Sequence, residues 1–250
     1  MARFRVLRFP EGSARAVTIK PKDKRLEPAY SVEEAADFLR IPASTLYAWT
    51  IGRKKPSGGW YEPILRFVQD RRLSFFDLAE AQVLRAAVER KVPLQQIRRG
   101  LEFLRERHPE QRPLLHYDFL TDGKFLLVSG MVGKKPGTDI VVNASTHGQL
   151  EWMELLKDHL QLLRGFDEHF KLLGWDNKKK PNTIFPKTGG HVVSITSGVY
   201  SGRPVVEGTR IPTTIIAERY KAGETIKELA RDYHLSKEKI EAAISYETAA

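Results

Sequence analysis

The segment Tyr30–Trp49 has the sequence YSVEEAADFLRIPASTLYAW, which predicts two short helices joined by a tight turn. Ser31 and Glu34 have the spacing of a capping box, in which each side chain bonds the backbone N–H of the other residue. Four apolar residues then repeat at i, i+3, i+4 and i+7 on one helix face: Val32, Ala35, Ala36 and Leu39. Because Ile41 and Pro42 end this helix and begin the next, the segment predicts a helix-turn-helix.

The second helix of this pair has an outer face suited to DNA. Leu46 and Trp49 are expected to point inward, which leaves Ser44, Thr45 and Tyr47 outside, beside small alanines. Hydroxyl groups reach phosphates or base edges, and small residues allow close approach to a major groove. A helical hairpin in any all-α protein would show the same pattern. We expect Ser44, Thr45 and Tyr47 to approach the groove.

A basic, glycine-rich loop follows directly at residues 52–59. It predicts a wing beside the second helix. Its cations Arg53, Lys54 and Lys55 suit phosphate contacts, which add to affinity more than to sequence choice.

Two further helices are predicted after the wing. Ser74 and Asp77 form another capping pair in front of a helix that carries Leu78, Ala81 and Leu84. The helix after Pro93 has a predicted buried stripe composed of Leu94, Ile97, Leu101 and Leu104. With the helix pair and the wing, the segments SFFDLAEAQVL and VPLQQIRRGLEFL make Tyr30–His108 resemble a MerR-like winged helix-turn-helix.

Charge is concentrated on the same part of the 250-residue chain. Residues 1–113 hold 23 Lys and Arg against 14 Asp and Glu, residues 114–190 hold 10 against 9, and residues 191–250 hold 8 against 8. A charged run is commonly a solvated surface, but this asymmetry places the electrostatic footprint for a polyanion on the helix-turn-helix. Binding to DNA is therefore expected to weaken steeply with salt.

The flanking and middle segments carry weaker signals. Residues 1–28 alternate apolar and basic groups before turning polar, which fits an arm or an edge strand. The strands His116–Leu120 and Lys124–Val128 flank Asp122-Gly123, which predicts a hairpin with a two-residue turn, and residues 140–142 predict a third strand. Helical spacing of Leu156, Leu163, Phe166 and Phe170 predicts a long apolar helix over residues 149–173, either a core helix or a self-association surface.

The C-terminal segment predicts three more helices. Thr225 and Glu228 form a capping pair, and Ser236 is suited to cap the last helix, so this unit also has the shape of a helix-turn-helix. Lys237 and Lys239 are its candidate DNA contacts. Glu238 and Glu241 share their face, however, so the charge favours a protein partner while the geometry favours DNA.

Residues 201–247, SGRPVVEGTRIPTTIIAERYKAGETIKELARDYHLSKEKIEAAISYE, resemble a small bacterial domain of unknown function that is common in antitoxins. In that family the neighbouring genes encode PIN-domain ribonucleases. Joined to a MerR-like front end, the chain is similar to the larger VapB-type antitoxins. This resemblance implies a repressor that binds its own operator and neutralises a PIN-domain toxin.

Other functional classes lack a signature. The chain has no cysteine, and its seven histidines do not have the spacing of metal ligands. The sequence also contains no P-loop motif and no nucleophile-elbow motif. It has no run of about 18 apolar residues and no signal-peptide pattern. We therefore expect no enzyme activity, no cofactor, no metal and no membrane partner, and a cytoplasmic location.

These observations give one expected fold class: mainly α with a small β component, in which a winged helix-turn-helix precedes a middle β-hairpin plus long helix and a C-terminal three-helix, helix-turn-helix-like domain. The expected boundaries are 1–28, 29–113, 114–190 and 191–250. The expected function is an autoregulatory DNA-binding antitoxin acting as a homodimer on double-stranded DNA. The alternatives are a stand-alone regulator with a small-molecule pocket in the middle region and a pure protein-interaction module.

Overall fold

The computed structural model is mainly α-helical with small antiparallel sheets, which confirms the predicted fold class. It describes residues 23–66, 71–107, 112–116, 118–121, 126–129, 140–143, 149–152, 161–162, 173–175, 181–186 and 191–249. Most of the predicted N-terminal arm lies outside these residues. The described α-helices are α1 Val32–Leu39, α2 Ala43–Thr50, α3 Phe75–Glu89, α4 Leu94–Arg107, α5 Pro113–His116, α6 Thr213–Lys221, α7 Ile226–Tyr233 and α8 Lys237–Thr248.

The described strands form four antiparallel sheets. β1 pairs with β4, β2 pairs with β3, one sheet has the order β10-β11-β12-β13, and another has the order β8-β7-β6-β5-β9. Their bounds are β1 Tyr30–Ser31, β2 Arg53–Lys54, β3 Trp60–Tyr61, β4 Arg72–Leu73, β5 Asp118–Thr121, β6 Leu126–Ser129, β7 Ile140–Asn143, β8 Gln149–Trp152, β9 Gln161–Leu162, β10 Leu173–Trp175, β11 Pro181–Ile184, β12 Val193–Thr196 and β13 Val205–Val206.

Helices α1 and α2 form the predicted helix-turn-helix. The capping box is present, since Ser31 Oγ accepts from the Glu34 N–H and Glu34 Oε2 accepts from the Ser31 N–H, both at 3.0 Å. All four residues of the predicted apolar face of α1 are buried. Arg40, with φ 53 and ψ 45, takes the left-handed conformation that turns the chain from α1 into α2. This part of the prediction is confirmed.

Helices α3 and α4 complete the N-terminal core. The capping box of Ser74 and Asp77 is present, and α3 is buried over most of its length. In α4 the stripe is buried at Ile97, Leu101 and Leu104, but Leu94 is 37% exposed, so the prediction is wrong at that position. Leu94 is the first residue of α4 and lines a surface groove instead.

The predicted hairpin of the middle segment is confirmed as β5 and β6, and its predicted turn at Asp122-Gly123 lies outside the described residues. The described pairs run from Asp118 with Ser129 to Thr121 with Leu126. The predicted third strand is β7, which pairs with β6.

The long helix predicted over residues 149–173 is wrong at the residues of this range that the structure describes. Gln149–Trp152 is strand β8, Gln161–Leu162 is β9, and Leu173 begins β10. The sequence Gln-Leu-Glu-Trp alternates polar and apolar residues, which is the period of a strand. β8 pairs with β7 at four positions, and this cross-strand pairing stabilises the extended conformation of Gln149–Trp152. Leu156, Leu163, Phe166 and Phe170, whose spacing suggested a core helix or a self-association surface, lie outside the described residues.

The sheet β10-β11-β12-β13 packs on the N-terminal helices. Leu173, Ile184 and Ile195 belong to the same apolar cluster as the helix-turn-helix, and Gln82 Nε2 on α3 donates to the Phe185 carbonyl at 2.9 Å. The boundary predicted at residue 190 lies between β11 and β12, which are adjacent strands.

Helices α6, α7 and α8 enclose a second, smaller core, which contains Val206, Ile216, Leu229, Ile240, Ala243 and Ile244. The predicted capping box of Thr225 and Glu228 is present, and Ser236 accepts from the Lys239 N–H at 3.4 Å. Among the helices that the structure describes, none combines the length and apolar character needed to cross a bilayer.

Candidate nucleic-acid interface

One face of helix α2 is buried in the N-terminal core, and the opposite face is open to solvent. Leu46 and Trp49 are buried in the N-terminal core, and the buried Thr50 hydroxyl donates to the Leu46 carbonyl at 2.8 Å. Ser44 is exposed and Thr45 is half-buried on the opposite side. The structure therefore places both predicted groove residues on the outer face of α2.

Tyr47 is the third predicted residue of this face, and it is tied to α1. Its hydroxyl donates to Glu33 Oε1. This hydrogen bond raises the pKa of Tyr47 and lowers the pKa of Glu33. The bond fixes the ring of Tyr47 beside Ser44 and Thr45, and it keeps the exposed Glu33 carboxylate ionised next to that face.

The basic loop forms a β-hairpin wing, as predicted. Arg53 pairs with Tyr61 and Lys54 pairs with Trp60. Gly52 begins the wing with φ +96, and a Cβ there would lie 2.4 Å from both Trp60 Nε1 and the Tyr61 carbonyl oxygen. The wing can therefore approach α2 this closely only with glycine at position 52.

Tyr61 collects three cations at the base of the wing. The Arg53 guanidinium carbon and Lys55 Nζ each lie 5.1 Å from the centre of its ring, and the Arg98 guanidinium carbon lies at 6.0 Å. A ring face attracts cations through its quadrupole, which holds these like charges near each other. The arrangement joins the wing to the first turns of α4.

A groove of about 870 Å³ lies between α2, the wing and the start of α4. Of the predicted site residues, it brings together Ser44, Thr45, Tyr47 and Arg53. Its full lining is Ser44, Thr45, Tyr47, Ala48, Trp49, Gly52, Arg53, Tyr61, Leu94, Gln95 and Arg98. Lys54 and Lys55 are wing residues outside this lining, with Lys54 exposed and Lys55 half-buried.

Arg98 is the groove residue that matters most among those the sequence analysis did not assign to the site. Its guanidinium donates to the Glu62 carbonyl, which fixes it across the wing. Partial burial lowers the pKa of Arg98, yet an arginine keeps its charge at neutral pH. The N-terminal end of α4 adds partial positive charge on the same side. The sequence signal for Arg98 is the helical spacing of α4, which leaves Arg98 outside the buried stripe, for solvent or a phosphate backbone.

The C-terminal candidates lie elsewhere. Lys237 is exposed in the first turn of α8, and Lys239 Nζ donates to the Glu207 carbonyl at 3.4 Å. Within the described chain, the residues that line the groove all come from positions 44–98. The structure does not bring Lys237 and Lys239 into that groove.

The two helix-turn-helix units nevertheless match position for position. His234 between α7 and α8 has φ 53 and ψ 42, nearly the angles of Arg40 between α1 and α2. At one constant spacing in the chain, the matching pairs are Ser31 and Thr225, Glu34 and Glu228, Arg40 and His234, Leu46 and Ile240, and Trp49 and Ala243. The outer positions differ, because Ser44, Thr45 and Tyr47 correspond to Glu238, Lys239 and Glu241.

Comparison with known proteins gives matches at both ends of the chain. A family model described as "Putative DNA-binding HTH domain" matches residues 28–101, and one described as "Protein of unknown function (DUF433)" matches residues 193–246. The first range contains the helix-turn-helix, the wing and the predicted groove residues. The second contains α6, α7 and most of α8.

Two proteins of Mycobacterium tuberculosis are similar over most of the chain. The one named "Putative antitoxin VapB45" is 26% identical over 231 residues, which cover 87% of this chain and 92% of that protein. "Uncharacterized protein Rv2308" is 27% identical over 224 residues, which cover 87% of this chain and 89% of that protein.

A solved structure shares the fold. The X-ray crystal structure of Rv2018 from Mycobacterium tuberculosis superposes with a TM-score of 0.52 at 19% identity, covering 88% of this chain and 98% of that one. The geometry and the family match agree on the N-terminal part of the chain, which is a helix-turn-helix domain followed by a wing.

Proposed function

We propose that this chain is the DNA-binding antitoxin of a type II toxin-antitoxin system, which represses its own operon and neutralises a PIN-domain ribonuclease toxin. The observation that carries the DNA-binding part is the groove between α2 and the wing, whose walls present hydroxyl groups and cations together. The similarity to a relative named as an antitoxin supports the second part. In this proposal the chain acts in the cytoplasm.

In the proposed complex, α2 faces the major groove and the wing sits on the sugar-phosphate backbone, as in MerR-like proteins. Ser44 and Thr45 reach base edges or phosphates, while Arg53 and Arg98 on the groove wall and Lys55 on the wing neutralise phosphate charge. The chain binds as a homodimer, because paired half-sites raise the weak affinity of a single module.

Lys237 and Lys239 stay predicted DNA contacts. Their face also carries Glu238 and Glu241, so they add little net positive potential. Replacing both lysines with alanine and measuring duplex affinity tests them separately from the wing.

The DNA-binding part is tested by fluorescence anisotropy with a labelled duplex from the region upstream of the chain's own reading frame. A shuffled duplex of equal length is the control. We expect tighter binding to the upstream duplex and a steep loss of affinity with salt. No binding in dilute buffer would refute the proposal, and equal affinity for both duplexes would refute operator recognition.

The antitoxin part is tested by co-expressing the chain with the product of the adjacent gene. We expect growth to be rescued and the two proteins to co-purify. A chain in which Arg53, Lys54 and Lys55 are alanine should rescue growth equally, because neutralisation does not require DNA in this proposal. Failure of the unmodified chain to rescue growth would favour a stand-alone regulator.

A further inference from the structure

Helix α1 is short, and its stability depends on contacts at its ends. It has eight residues, about two turns, and helices of this length are marginal in isolation. The last carbonyl groups of a helix have no partner within the helix and must be bonded from outside. In α1 the Ala36 and Asp37 carbonyls accept from the Arg40 N–H. The Phe38 and Leu39 carbonyls remain to be bonded.

Tyr246 bonds one of these carbonyls from the far end of the chain. Its hydroxyl donates to the Phe38 carbonyl at 2.7 Å, while Arg85 on α3 donates to the Leu39 carbonyl. Tyr246 lies on α8 and is 1% exposed, and burial raises its pKa. The C-terminal helices therefore complete the C-terminal end of α1.

Arg40, in the turn of the helix-turn-helix, is held by the same tyrosine. Its guanidinium carbon lies 4.4 Å from the centre of the Tyr246 ring, and its Nη2 donates to the Tyr246 carbonyl. The same nitrogen is 3.8 Å from Glu247 Oε2, and Nη1 donates to Asp37 at 2.6 Å. Left-handed backbone at position 40 favours glycine or asparagine. Unlike glycine, an arginine at this position provides a long side chain that binds α8.

A second contact lies at the N-terminal end of α1. Arg203 Nη2 is 3.0 Å from Oε1 of Glu34, the glutamate of the capping box. Beside it Gly202 packs on Tyr30, since a Cβ at position 202 would lie 2.0 Å from the tyrosine hydroxyl. Burial raises the pKa of Tyr30 to about 12. Tyr200 and Ser201 also have positive φ, 43 and 54, so the chain adopts an unfavourable left-handed turn that brings Gly202 and Arg203 against α1.

These two contacts, made by Tyr246 at one end and by Gly202 and Arg203 at the other, are here called the clamp. The clamp does not cover the groove, because the described groove lining comes from residues 44–98. It therefore leaves the outer face of α2 open while it fixes the helix that precedes α2. A contact of this kind is suited to preorganise the site and not to block it.

We propose that the C-terminal part of the chain positions the DNA-reading helix α2 by clamping α1 at both ends, with Gly202 and Arg203 before β13 and Tyr246 on α8, which makes Arg203 and Tyr246 positioning residues for DNA binding. This inference rests on the proposed DNA binding. Without the clamp, α1 and the turn must be ordered when DNA binds, and the cost of that ordering lowers affinity. Neither residue touches DNA in this arrangement, so their loss leaves the number of phosphate contacts unchanged.

The test uses the full chain with Arg203→Ala, Tyr246→Phe and the double variant. Arg210→Ala is the matched control, because it removes an exposed arginine of the same segment. Hydrogen–deuterium exchange of the α1 amides, measured without DNA, reports the clamp itself. Anisotropy titrations at several salt concentrations report its effect on binding.

We expect faster exchange in α1 for all three variants and unchanged exchange for the control. The Kd for the upstream duplex should rise about twofold for Arg203→Ala, about fivefold for Tyr246→Phe and about tenfold for the double variant. The slope of log Kd against log salt should not change.

Three results would overturn the inference. Unchanged exchange in α1 would show that the clamp does not hold the helix. Faster exchange with an unchanged Kd would show that the held helix does not matter for binding. A slope flattened by about one for Arg203→Ala would make Arg203 a phosphate ligand. If the unmodified chain binds no duplex, both the proposed function and this inference fail. The exchange data, which are measured without DNA, still show in that case whether the clamp holds α1.

Discussion

Removing the charge of the wing should flatten the salt dependence of DNA binding by an amount that the hairpin geometry predicts. Arg53 and Lys55 both lie 5.1 Å from the centre of the Tyr61 ring, and Tyr61 lines the groove. Lys54 lies between them in the chain and pairs with Trp60, so its side chain points to the other face of the hairpin. Two of the three cations should therefore contact phosphate.

Each phosphate contact contributes about 0.9 to the slope of log Kd against log salt, so Arg53→Ala with Lys55→Ala should flatten that slope by about 1.8. Between 50 and 200 mM salt, the unmodified chain should lose roughly tenfold more affinity than this double variant. Anisotropy titrations of the upstream duplex at four salt concentrations measure both slopes.

Two control variants make the result specific. Lys54→Ala removes one charge from the same wing and should flatten the slope by less than about 0.9. Arg210→Ala with Lys221→Ala removes two exposed cations near the C-terminal helices and should leave the slope unchanged. If this pair flattens the slope as much as the wing pair does, the groove is not where phosphates bind. An unchanged slope for the wing pair would refute the interface as described.

Three further predictions concern the wing and the core. Tyr61→Leu removes the ring that holds Arg53, Lys55 and Arg98, so the Kd for the duplex should rise about fivefold, while Tyr61→Phe keeps the ring and should change it little. Gly52→Ala should lower the free energy of unfolding, measured in urea, by about 2 kcal/mol more than Gly58→Ala does. Both glycines have positive φ, but only at position 52 would a Cβ clash, because a Cβ at position 58 meets nothing within 4 Å. Equal losses of stability in the two variants would exclude the clash. Burial raises the pKa of Glu80 to about 7 from 4.5, so the folded chain retains a proton that the unfolded chain releases, and stability should fall as pH rises through that interval by about 3 kcal/mol. Glu80→Gln should remove this fall in urea unfolding followed from pH 4.5 to pH 8, and a parallel pH dependence in the variant would contradict the assignment to Glu80.

The helix-turn-helix could be predicted from sequence because its determinants are local. Ser31 bonds Glu34 three residues away, and the apolar face of α1 repeats within eight residues. Such contacts form wherever the segment folds as a helix, so their spacing is visible in the chain. Leu46 and Trp49 were placed inside α2 by the same argument.

The groove could be predicted only in part, because its walls come from distant segments. Arg98 is 37 positions after Tyr61 in the chain, and their contact follows from how α4 packs behind the wing. Leu94 has the spacing of a core residue but lies at the helix start, where the neighbouring elements leave it exposed. Helical periodicity predicts on which face of a helix a residue lies, but it does not predict whether another element covers that face.

In the middle segment, the start of the predicted helix was wrong at Gln149–Trp152 because two periodicities overlap there. Its apolar residues satisfy helical spacing over residues 149–173, while Gln149–Trp152 alternates as a strand. Short apolar runs are ambiguous between the two, and the choice depends on whether a partner strand is available. Strand β7 is that partner, and it lies six residues before β8 in the chain.

The two helix-turn-helix units separate what fixes a fold from what decides a function. Capping residues, a left-handed turn and buried positions recur in both units, so the framework does not distinguish them. Their outer faces do, since hydroxyl groups at Ser44 and Thr45 correspond to Glu238 and Lys239. The first unit also has a wing and a cationic groove, whereas the last turn of α8 in the second contributes Tyr246 to the first. The same helix-turn-helix backbone can therefore present a DNA-facing surface in one unit and support that surface in the other. Which of the two roles a unit has depends on its outward-facing residues.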